Sequence, residues 1–284
     1  MLGSAREQPR EDFTIGQDWE SYADAEHARW RLLFERQVAQ LPGRADSAVL
    51  DGLEVLGMAA GGIPDFRHLS DALMRRTGWR VVAVPGLVPD EVFFAHLAAR
   101  RFPATRFIRP AGCLDYVQEP DVFHDVFGHV PLLAHPAFAD FMALYGRQGL
   151  AAQGRGRLAE LARLYWYTVE FGLIRTPAGL RIYGSGIVSS RGEVTYCLED
   201  PRPRRMAFAP ARIMRTRYRI DAFQEIYFVI DDYRALFAAL DRDLDALLAE
   251  VARLPVLSPG AALPEDRPIP LAGTRPIALD GDSP

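Results

Sequence analysis

Apolar residues recur at helical spacing along most of this chain, and this pattern restricts the fold to a mostly helical one. The clearest case is the segment 231–254, in which one stripe of apolar side chains lies opposite a charged face. Similar patterns predict helices over 19–41, 46–58, 64–76, 89–101, 120–130, 136–146 and 157–173. Proline or glycine lies near several ends of these segments, as expected for residues that limit helices.

Few segments have the alternating pattern of a half-buried strand. Short strands are predicted over 80–84, 105–109, 180–183 and 225–230, and residues 208–218 fit neither pattern. We therefore expect one α+β domain over residues 18–254, mostly α-helical with a few short β-strands. Residues 1–17 are polar and predict a flexible leader, whereas residues 255–284 are rich in proline and glycine and predict a tail or a strapping arm.

Composition excludes several classes of function. The chain of 284 residues is 49% hydrophobic and 25% charged, as is usual for globular proteins. Its net charge of −4 gives no general attraction to nucleic acid or to an anionic membrane, and the absence of lysine excludes a Schiff base on the protein. Cys113 and Cys197 are too few for a disulfide scaffold, and no signal peptide or membrane-spanning run is recognisable. We expect a cytoplasmic protein that acts on a small molecule and binds neither nucleic acid nor membrane.

Two histidines lie in the densest group of reactive side chains, residues 119–129. Imidazole is the commonest metal ligand in proteins, so His124 and His129 are candidate ligands. Their spacing of five residues separates the side chains by about 140° on an ideal α-helix. They can share a metal only if the helix is distorted or ends there, for which Gly128 and Pro131 provide a reason. A pair at this spacing is more often two structural histidines, one of them capping a helix end, so the pair alone is a weak signal.

A third ligand must come from elsewhere, and Glu170 is the candidate. It lies among aromatic and apolar residues on a predicted buried helix, where a carboxylate is costly unless it is paired or bound to metal. Two imidazoles and one carboxylate form the facial triad of non-haem Fe(II) oxygenases. An ion pair between Glu170 and one of the many arginines is the structural alternative.

Three segments together closely resemble the pterin-dependent aromatic amino acid hydroxylases, most of all the short bacterial phenylalanine 4-hydroxylases. They are 118–131 (QEPDVFHDVFGHVP), 164–173 (LYWYTVEFGL) and 183–193 (YGSGIVSSRGE). The resemblance is clear from about residue 80 to residue 229 and implies one catalytic domain of this hydroxylase type. It implies that His124, His129 and Glu170 hold Fe(II), as both the metal ligands and the catalytic residues.

The resemblance also implies a site for the amino acid substrate. Arg109 matches the arginine that binds the substrate carboxylate, with Asp121 as its ion-pair partner, and Ser189 matches a hydroxyl that helps to hold the substrate backbone. Structural alternatives are a plain ion pair for the arginine and a helix cap for the serine. The pocket for the aromatic ring matches at three positions, which could instead belong to the core: Pro120, Trp166 and Phe171.

A tetrahydrobiopterin-like cofactor is implied in the same way. The tetrahydropterin is expected between the loop residues Gly86 and Leu87 and the ring of Phe93, with Tyr165 nearby. Asp125, at a position where many relatives have glutamate, is expected to reach the pterin through water or to cap the helix. Phe93 could otherwise be helix core.

The expected activity is that of a phenylalanine 4-monooxygenase, which converts L-phenylalanine to L-tyrosine with O2 and tetrahydropterin. Trp166 is the residue type of the phenylalanine and tyrosine hydroxylases, whereas tryptophan hydroxylases have phenylalanine there, and the apolar Ile220 suits a ring without a hydroxyl. The alternatives are a tryptophan hydroxylase of the same family and a non-enzymatic regulator that binds pterin or an amino acid.

Two other enzyme classes are rivals to this assignment. A 2-oxoglutarate oxygenase would need many alternating strands for its barrel, and the sequence lacks them. A zinc hydrolase would use Glu170 or Asp125 as its base. The animal relatives have a C-terminal tetramerising helix, whereas residues 255–284 are rich in proline, so we expect a monomer.

Overall fold

The computed structural model describes residues 8–115 and 118–271 and has the expected α+β architecture. The α-helices of these residues are α1 (Asp24–Val38), α2 (Ser47–Val55), α3 (Phe66–Arg76), α4 (Asp90–Ala98), α5 (Pro136–Gln153), α6 (Leu158–Tyr165), α7 (Ser185–Val188), α8 (Glu193–Glu199), α9 (Pro210–Met214), α10 (Tyr233–Leu240) and α11 (Leu244–Ala252). Two segments, Phe123–His129 and Trp166–Glu170, are π-helical. Within the described residues, no helix combines the length and apolar character needed to cross a membrane.

Aspartate side chains fix the starts of four helices. Asp46 and Asp65 accept hydrogen bonds from Ala48 N and Arg67 N at the starts of α2 and α3. Asp232 and Asp243 do the same at α10 and α11. Such caps satisfy backbone donors that the first turn of a helix leaves free.

The strands form two small sheets. They are β1 (Arg80–Val84), β2 (Arg101–Thr105), β3 (Leu173–Thr176), β4 (Gly179–Ile182), β5 (Arg204–Ala207) and β6 (Ile226–Ile230). Strands β1 and β2 are parallel, and the second sheet has the order β4-β3-β6-β5, with only β3 and β4 antiparallel among its neighbours. All five residues of β6 are buried.

The strand predicted over 105–109 was wrong in position, because the structure places β2 at Arg101–Thr105. Pro103 lies inside this strand opposite Val82. Proline weakens a strand pattern in sequence, but a strand at the edge of a sheet tolerates it because one row of backbone donors has no partner strand. Since β2 ends at Thr105, residues 106–109 lie outside the sheet and lead to the candidate site at Arg109.

The single helix predicted over 231–254 was also wrong, since the structure has α10 and α11 with a break between them. Asp241 ends α10, and the Asp243 side chain accepts a hydrogen bond from Ala246 N to start α11. An aspartate that caps a new helix interrupts the old one. Residues 208–218, which fit no pattern, contain the short helix α9.

Helix α5 lies at the centre of the core and packs against α4 at very short distance. A Cβ on Gly146 would lie 2.3 Å from Ala98 N, and a Cβ on Gly149 would lie 2.0 Å from the Phe94 ring. Only glycine allows this approach. The contact fixes α4, and with it Phe93, relative to the rest of the domain.

Residues near both ends of the described chain pack on the domain. Ile15, in the segment predicted as a flexible leader, is buried, and its N–H donates to Ala83 O of β1 at 2.9 Å. In the segment 255–271, Leu257 N donates to Arg215 O at 2.7 Å and Ile269 N to Arg205 O at 2.7 Å. The sequence left open whether the C-terminal segment packs against the domain, and residues 255–271 do so.

Candidate active site

The two candidate histidines lie on one side of the π-helical segment Phe123–His129. A π-helix bonds residue i to residue i+5, so residues five apart lie almost one turn apart instead of pointing in different directions. His124 Nε2 and His129 Nε2 are accordingly 3.2 Å apart. The helix distortion that the five-residue spacing required thus takes the form of a π-helix.

Glu170 is the last residue of the second π-helical segment, where Phe171 N donates to Trp166 O at 2.9 Å. Its carboxylate reaches both histidines, with Oε1 3.2 Å from His129 Nε2 and Oε2 3.6 Å from His124 Nε2. The ligand atoms of all three side chains lie within 4.8 Å of one another. Two imidazoles and a carboxylate at this separation fit a single divalent ion of the non-haem iron type.

Within the cluster of His124, His129 and Glu170, the charge states of His124 and Glu170 favour metal binding. Burial, together with His129, lowers the pKa of His124 to about 4 and keeps its imidazole neutral. Burial alone would raise the pKa of Glu170, but the two histidines and the Ser185 hydroxyl outweigh it and hold this pKa at about 2. Neutral imidazoles and an ionised carboxylate are the forms that bind a metal.

Ser189 orients His124. The Ser189 hydroxyl donates to Ser185 O at 2.8 Å and lies 2.9 Å from His124 Nδ1. Because the serine proton is used, Nδ1 carries the proton of the imidazole and donates to Ser189 Oγ. The lone pair of Nε2 then faces the other two candidate ligands.

Arg109 and Asp121 form a buried pair beside the cluster. Arg109 Nε and Nη2 donate to the two carboxylate oxygens at 2.9 and 2.7 Å. Burial would raise the pKa of Asp121, but these bonds outweigh it and lower the pKa. Asp121 Oδ1 also accepts from His124 N at 3.1 Å, so the pair holds the start of the histidine segment.

A cavity of about 380 Å³ extends from the cluster, and we term it the central cavity. Trp166 forms one wall, stacked on Tyr218 at a ring distance of 4.3 Å and contacting Phe171 at 4.7 Å. The Trp166 indole N–H donates to Gln224 Oε1 at 2.9 Å. Five of the six residues predicted around the substrate line this cavity: Arg109, Pro120, Trp166, Phe171 and Ser189. The sixth, Asp121, is hydrogen-bonded to Arg109.

The residues predicted for the pterin lie outside the lining of the central cavity. The rings of Phe93 and Tyr165 are 5.9 Å apart, and Tyr165 is 6.1 Å from His129. Leu87 is 76% exposed, and a Cβ on Gly86 would lie 2.8 Å from Glu119 Oε1. Phe93 and Tyr165 therefore form an aromatic face next to His129.

Asp125 lies behind this face. Its Oδ2 accepts from Thr105 N at 2.8 Å and from Thr105 Oγ1 at 2.9 Å. Burial raises the pKa of Asp125 to about 7. The carboxyl therefore holds β2 against the histidine segment, in addition to any contact with a cofactor.

A larger cavity, of about 1200 Å³, lies elsewhere, between residues 10–21, α3 and β1. Its lining contains none of the predicted site residues. Volume alone would select this groove as the site, but among the described residues the cluster of ligating side chains lies at the central cavity and none lies at the groove.

Sequence reasoning missed three residues of the site. Ser185 contacts two of the candidate metal ligands, Gln224 holds the Trp166 indole, and Tyr218 stacks on that indole. Glycines on both sides of Ser185 are a sequence signal of close backbone approach. No local pattern indicates Gln224 or Tyr218, because their contacts are made across the fold.

Comparisons with known proteins agree with this geometry. Residues 13–245 match the family model of the biopterin-dependent aromatic amino acid hydroxylases. Phenylalanine-4-hydroxylase of Ralstonia nicotianae is 57% identical over 94% of this chain and 85% of its own length. That of Caulobacter vibrioides is 55% identical over 96% of this chain and 92% of its own length.

Solved structures give the same result. Phenylalanine hydroxylase of Chromobacterium violaceum bound to cobalt is 52% identical, with a TM-score of 0.90 over 92% of this chain and 95% of that one. The structure of the same enzyme with bound Fe(III) has a TM-score of 0.88 at 53% identity, over 91% of this chain and 94% of that one. Sequence, fold and the arrangement of the His-His-Glu cluster together identify this chain as a member of the biopterin-dependent aromatic amino acid hydroxylase family.

Proposed function

We propose that this chain is a phenylalanine 4-monooxygenase that converts L-phenylalanine to L-tyrosine with O2 and a tetrahydropterin. The observation that carries the proposal is that His124, His129 and Glu170 meet at one end of a cavity walled by aromatic rings and an arginine. The named bacterial relatives are phenylalanine hydroxylases, which favours this activity over tryptophan hydroxylation and over a regulator without activity.

The metal would be held by His124 Nε2, His129 Nε2 and the Glu170 carboxylate. Bound Fe(II) and tetrahydropterin would supply the activation of dioxygen and the electrons for hydroxylation. Ser189 keeps the proton of His124 on Nδ1, so that Nε2 remains a ligand. Burial of the cluster excludes bulk water from the place where the oxidant is needed.

Arg109 would bind the carboxylate of the amino acid. Three of its five N–H donors contact Asp121 and Leu114 O in the described part of the chain. The guanidinium fork suits a second, bidentate contact with a carboxylate, and Asp121 fixes its plane. This contact would orient the substrate with its ring towards Trp166.

Pro120, Trp166 and Phe171 would enclose the ring of phenylalanine. Aromatic rings prefer edge or offset contacts, which the tilted pair Trp166 and Phe171, at 38° to each other, can offer. Their role would be to position the ring, because holding two reactants in the right geometry lowers the entropy cost of bringing them together.

The pterin would lie on the aromatic face of Phe93 and Tyr165, with Gly86 and Leu87 as its loop contacts and Asp125 behind it. Phe93 offers a flat apolar surface for a bicyclic ring, and the exposed Leu87 allows entry from solvent. Phe93 and Tyr165 would hold the cofactor beside His129, and the residues of the central cavity would hold the substrate.

The test is product formation with purified protein. Tyrosine should form from phenylalanine only when Fe(II), O2 and tetrahydropterin are all present, as measured by chromatography with parallel oxygen uptake. Tryptophan as sole substrate should be converted far more slowly. Absence of tyrosine in the complete mixture, or equal conversion of tryptophan, would contradict the proposal.

We further propose that the protein is a cytoplasmic monomer with one chain per active site. One chain supplies both the three proposed metal ligands and the three residues proposed for the carboxylate and backbone of the amino acid. These residues are His124, His129, Glu170, Arg109, Asp121 and Ser189. Light scattering on the eluted protein should give a mass near the 31.7 kDa of the chain, and twice that mass would contradict the monomer.

A further inference from the structure

We propose that Ser185 is a positioning residue of the metal centre, whose hydroxyl donates a hydrogen bond to Glu170 and fixes the orientation of this ligand. The inference rests on the metal site of the proposed function and adds to it a residue outside the His-His-Glu cluster. It starts from the position of Ser185 Oγ, which lies 2.9 Å from Glu170 Oε2 and 3.1 Å from His129 Nε2.

Close backbone packing brings the hydroxyl to this place. A Cβ on Gly184 would lie 2.4 Å from Glu170 O, and a Cβ on Gly186 would lie 2.9 Å from the Phe171 ring. A Cβ on Gly128 would lie 2.9 Å from Ser185 O. The segment around α7 therefore packs tightly against both π-helical segments, and glycine is needed at positions 184 and 128, where the close atoms belong to the backbone.

The serine has little freedom in this position. It is 2% exposed, and its side chain has a single rotatable bond that decides where the hydroxyl lies. A hydrogen bond from such a short, buried side chain costs little side-chain entropy. The orientation of the hydroxyl is thus set by the fold before any metal binds.

The hydroxyl has one proton and three polar neighbours. The third neighbour is Val169 O, at 3.1 Å. A carboxylate that binds a metal is ionised, and a hydrogen bond to an ionised oxygen is stronger than one to a neutral carbonyl. The proton therefore goes to Glu170 Oε2, and Oε1, 3.2 Å from His129 Nε2, remains without this donor.

The backbone of the same residue supports the remaining ligand. Ser185 O accepts the hydrogen bond from Ser189 Oγ, which in turn accepts from His124 Nδ1. Ser185 on α7 thus hydrogen-bonds to Glu170 through its hydroxyl and supports His124 through its backbone carbonyl and Ser189. Replacement by alanine removes the hydroxyl but leaves the backbone link to His124 intact, so the two contributions can be separated.

The experiment is a titration of the purified, metal-free protein with Co(II), in the absence of pterin and substrate. Ser185→Ala should bind one equivalent of Co(II) with a dissociation constant raised roughly tenfold, the lower end of the usual effect of losing such a partner. The visible spectrum of bound Co(II) should also change, because a carboxylate freed from its donor alters the ligand field.

Ser70→Ala is the matched control. Ser70 is a partly buried serine whose hydroxyl, within residues 8–115 and 118–271, bonds to the backbone of Val81 alone, at 3.0 and 3.3 Å. It should leave both the Co(II) dissociation constant and the spectrum unchanged while it removes a comparable hydrogen bond. Thermal unfolding of each variant gives its folded fraction.

Each result decides a different point. An unchanged dissociation constant and spectrum in Ser185→Ala, with normal binding by the unsubstituted protein, would overturn the role of Ser185 and leave the proposed function standing. Failure of the unsubstituted protein to bind Co(II) would overturn the metal site itself, and the proposed function with it.

Discussion

The two ends of the central cavity are held in place by different kinds of contact. At the metal end, glycines bring α7 against both π-helical segments, Ser189 accepts a hydrogen bond from His124, and Ser185 donates one to Glu170. At the opposite end, the wall formed by Trp166 depends on Gln224, which lies in a loop with the exposed residues Ile220 and Phe223. We term residues 218–224 with Trp166 the ring wall.

This difference separates two requirements. Metal ligands must stay within a few tenths of an ångström of their positions, and backbone packing provides such precision. A wall that contacts a hydrophobic ring tolerates more movement, and a loop lets the substrate enter. We therefore expect changes at the metal end to abolish activity and changes at the ring wall to alter substrate affinity.

The largest effect is expected for Glu170→Ala. Loss of the carboxylate leaves two imidazoles for the metal, and affinity should fall by more than the roughly 100-fold seen when only a supporting residue is lost. Tyrosine formation should disappear with it, while the fold remains, as judged by circular dichroism. Glu199→Ala, which removes a half-exposed carboxylate paired with Arg44, should change neither quantity. Stoichiometric iron in Glu170→Ala would refute the triad.

A smaller and different effect is expected for Gln224→Leu. The change leaves the Trp166 indole N–H, and the carbonyls of Arg219 and Ala222, without their partner. The KM for phenylalanine should rise roughly five- to tenfold, the equivalent of about 1 kcal/mol, while the affinity for Co(II) stays constant.

A double-mutant cycle identifies the indole as the cause. In a Trp166→Phe background no indole N–H remains, so Gln224→Leu should raise KM less than it does in the unsubstituted protein. An equal rise in both backgrounds would mean that Gln224 acts only on the loop. A loss of Co(II) binding in Gln224→Leu would show that the ring wall and the metal end of the cavity depend on each other, and would contradict the distinction drawn between them.

The smallest effect is a pH dependence of stability at the outer part of the ring wall. Glu193 accepts hydrogen bonds from Gln224 N and from the Tyr227 hydroxyl, and burial raises its pKa from 4.5 to about 7. Between these two values the folded protein holds a proton on Glu193 that the unfolded chain has lost. The contribution of Glu193 to stability therefore falls as the pH rises through this window.

Glu193→Gln removes this titration but keeps an acceptor oxygen for both partners. Urea unfolding between about pH 5 and about pH 8 should show the variant gaining stability relative to the unsubstituted protein as the pH rises. A difference that stays constant with pH would mean that the carboxyl is not protonated in the folded state. Metal affinity should be the same in both proteins throughout.

Much of the site could be predicted from the sequence. His124, His129 and Glu170 were identifiable as a possible ligand set from residue type and surroundings, and the five-residue spacing indicated that the helix had to be distorted. The helices of the domain were mostly recognisable from periodicity, and β1 was predicted with its observed bounds. These features are local, since neighbours in sequence decide them.

Other features could not be predicted, for a physical reason. The position of β2 depends on its pairing with β1, and the tolerance for Pro103 depends on its place at the sheet edge. The contact of Ser185 with Glu170 joins residues 15 positions apart, and that of Gln224 with Trp166 joins residues 58 apart. Such contacts depend on how elements pack, and periodicity within one element carries no information about it.

The sequence by itself determined the family, the mostly helical α+β class and the three residues able to hold a metal. Only the tertiary structure decided that the two histidines share one side of a π-helix, that Ser185 and Ser189 support the ligands, and that Gln224 holds the ring wall. Residue types state which chemistry is possible. Whether it occurs depends on distances of about 3 Å between atoms of separate elements, and close packing of the backbone sets these distances.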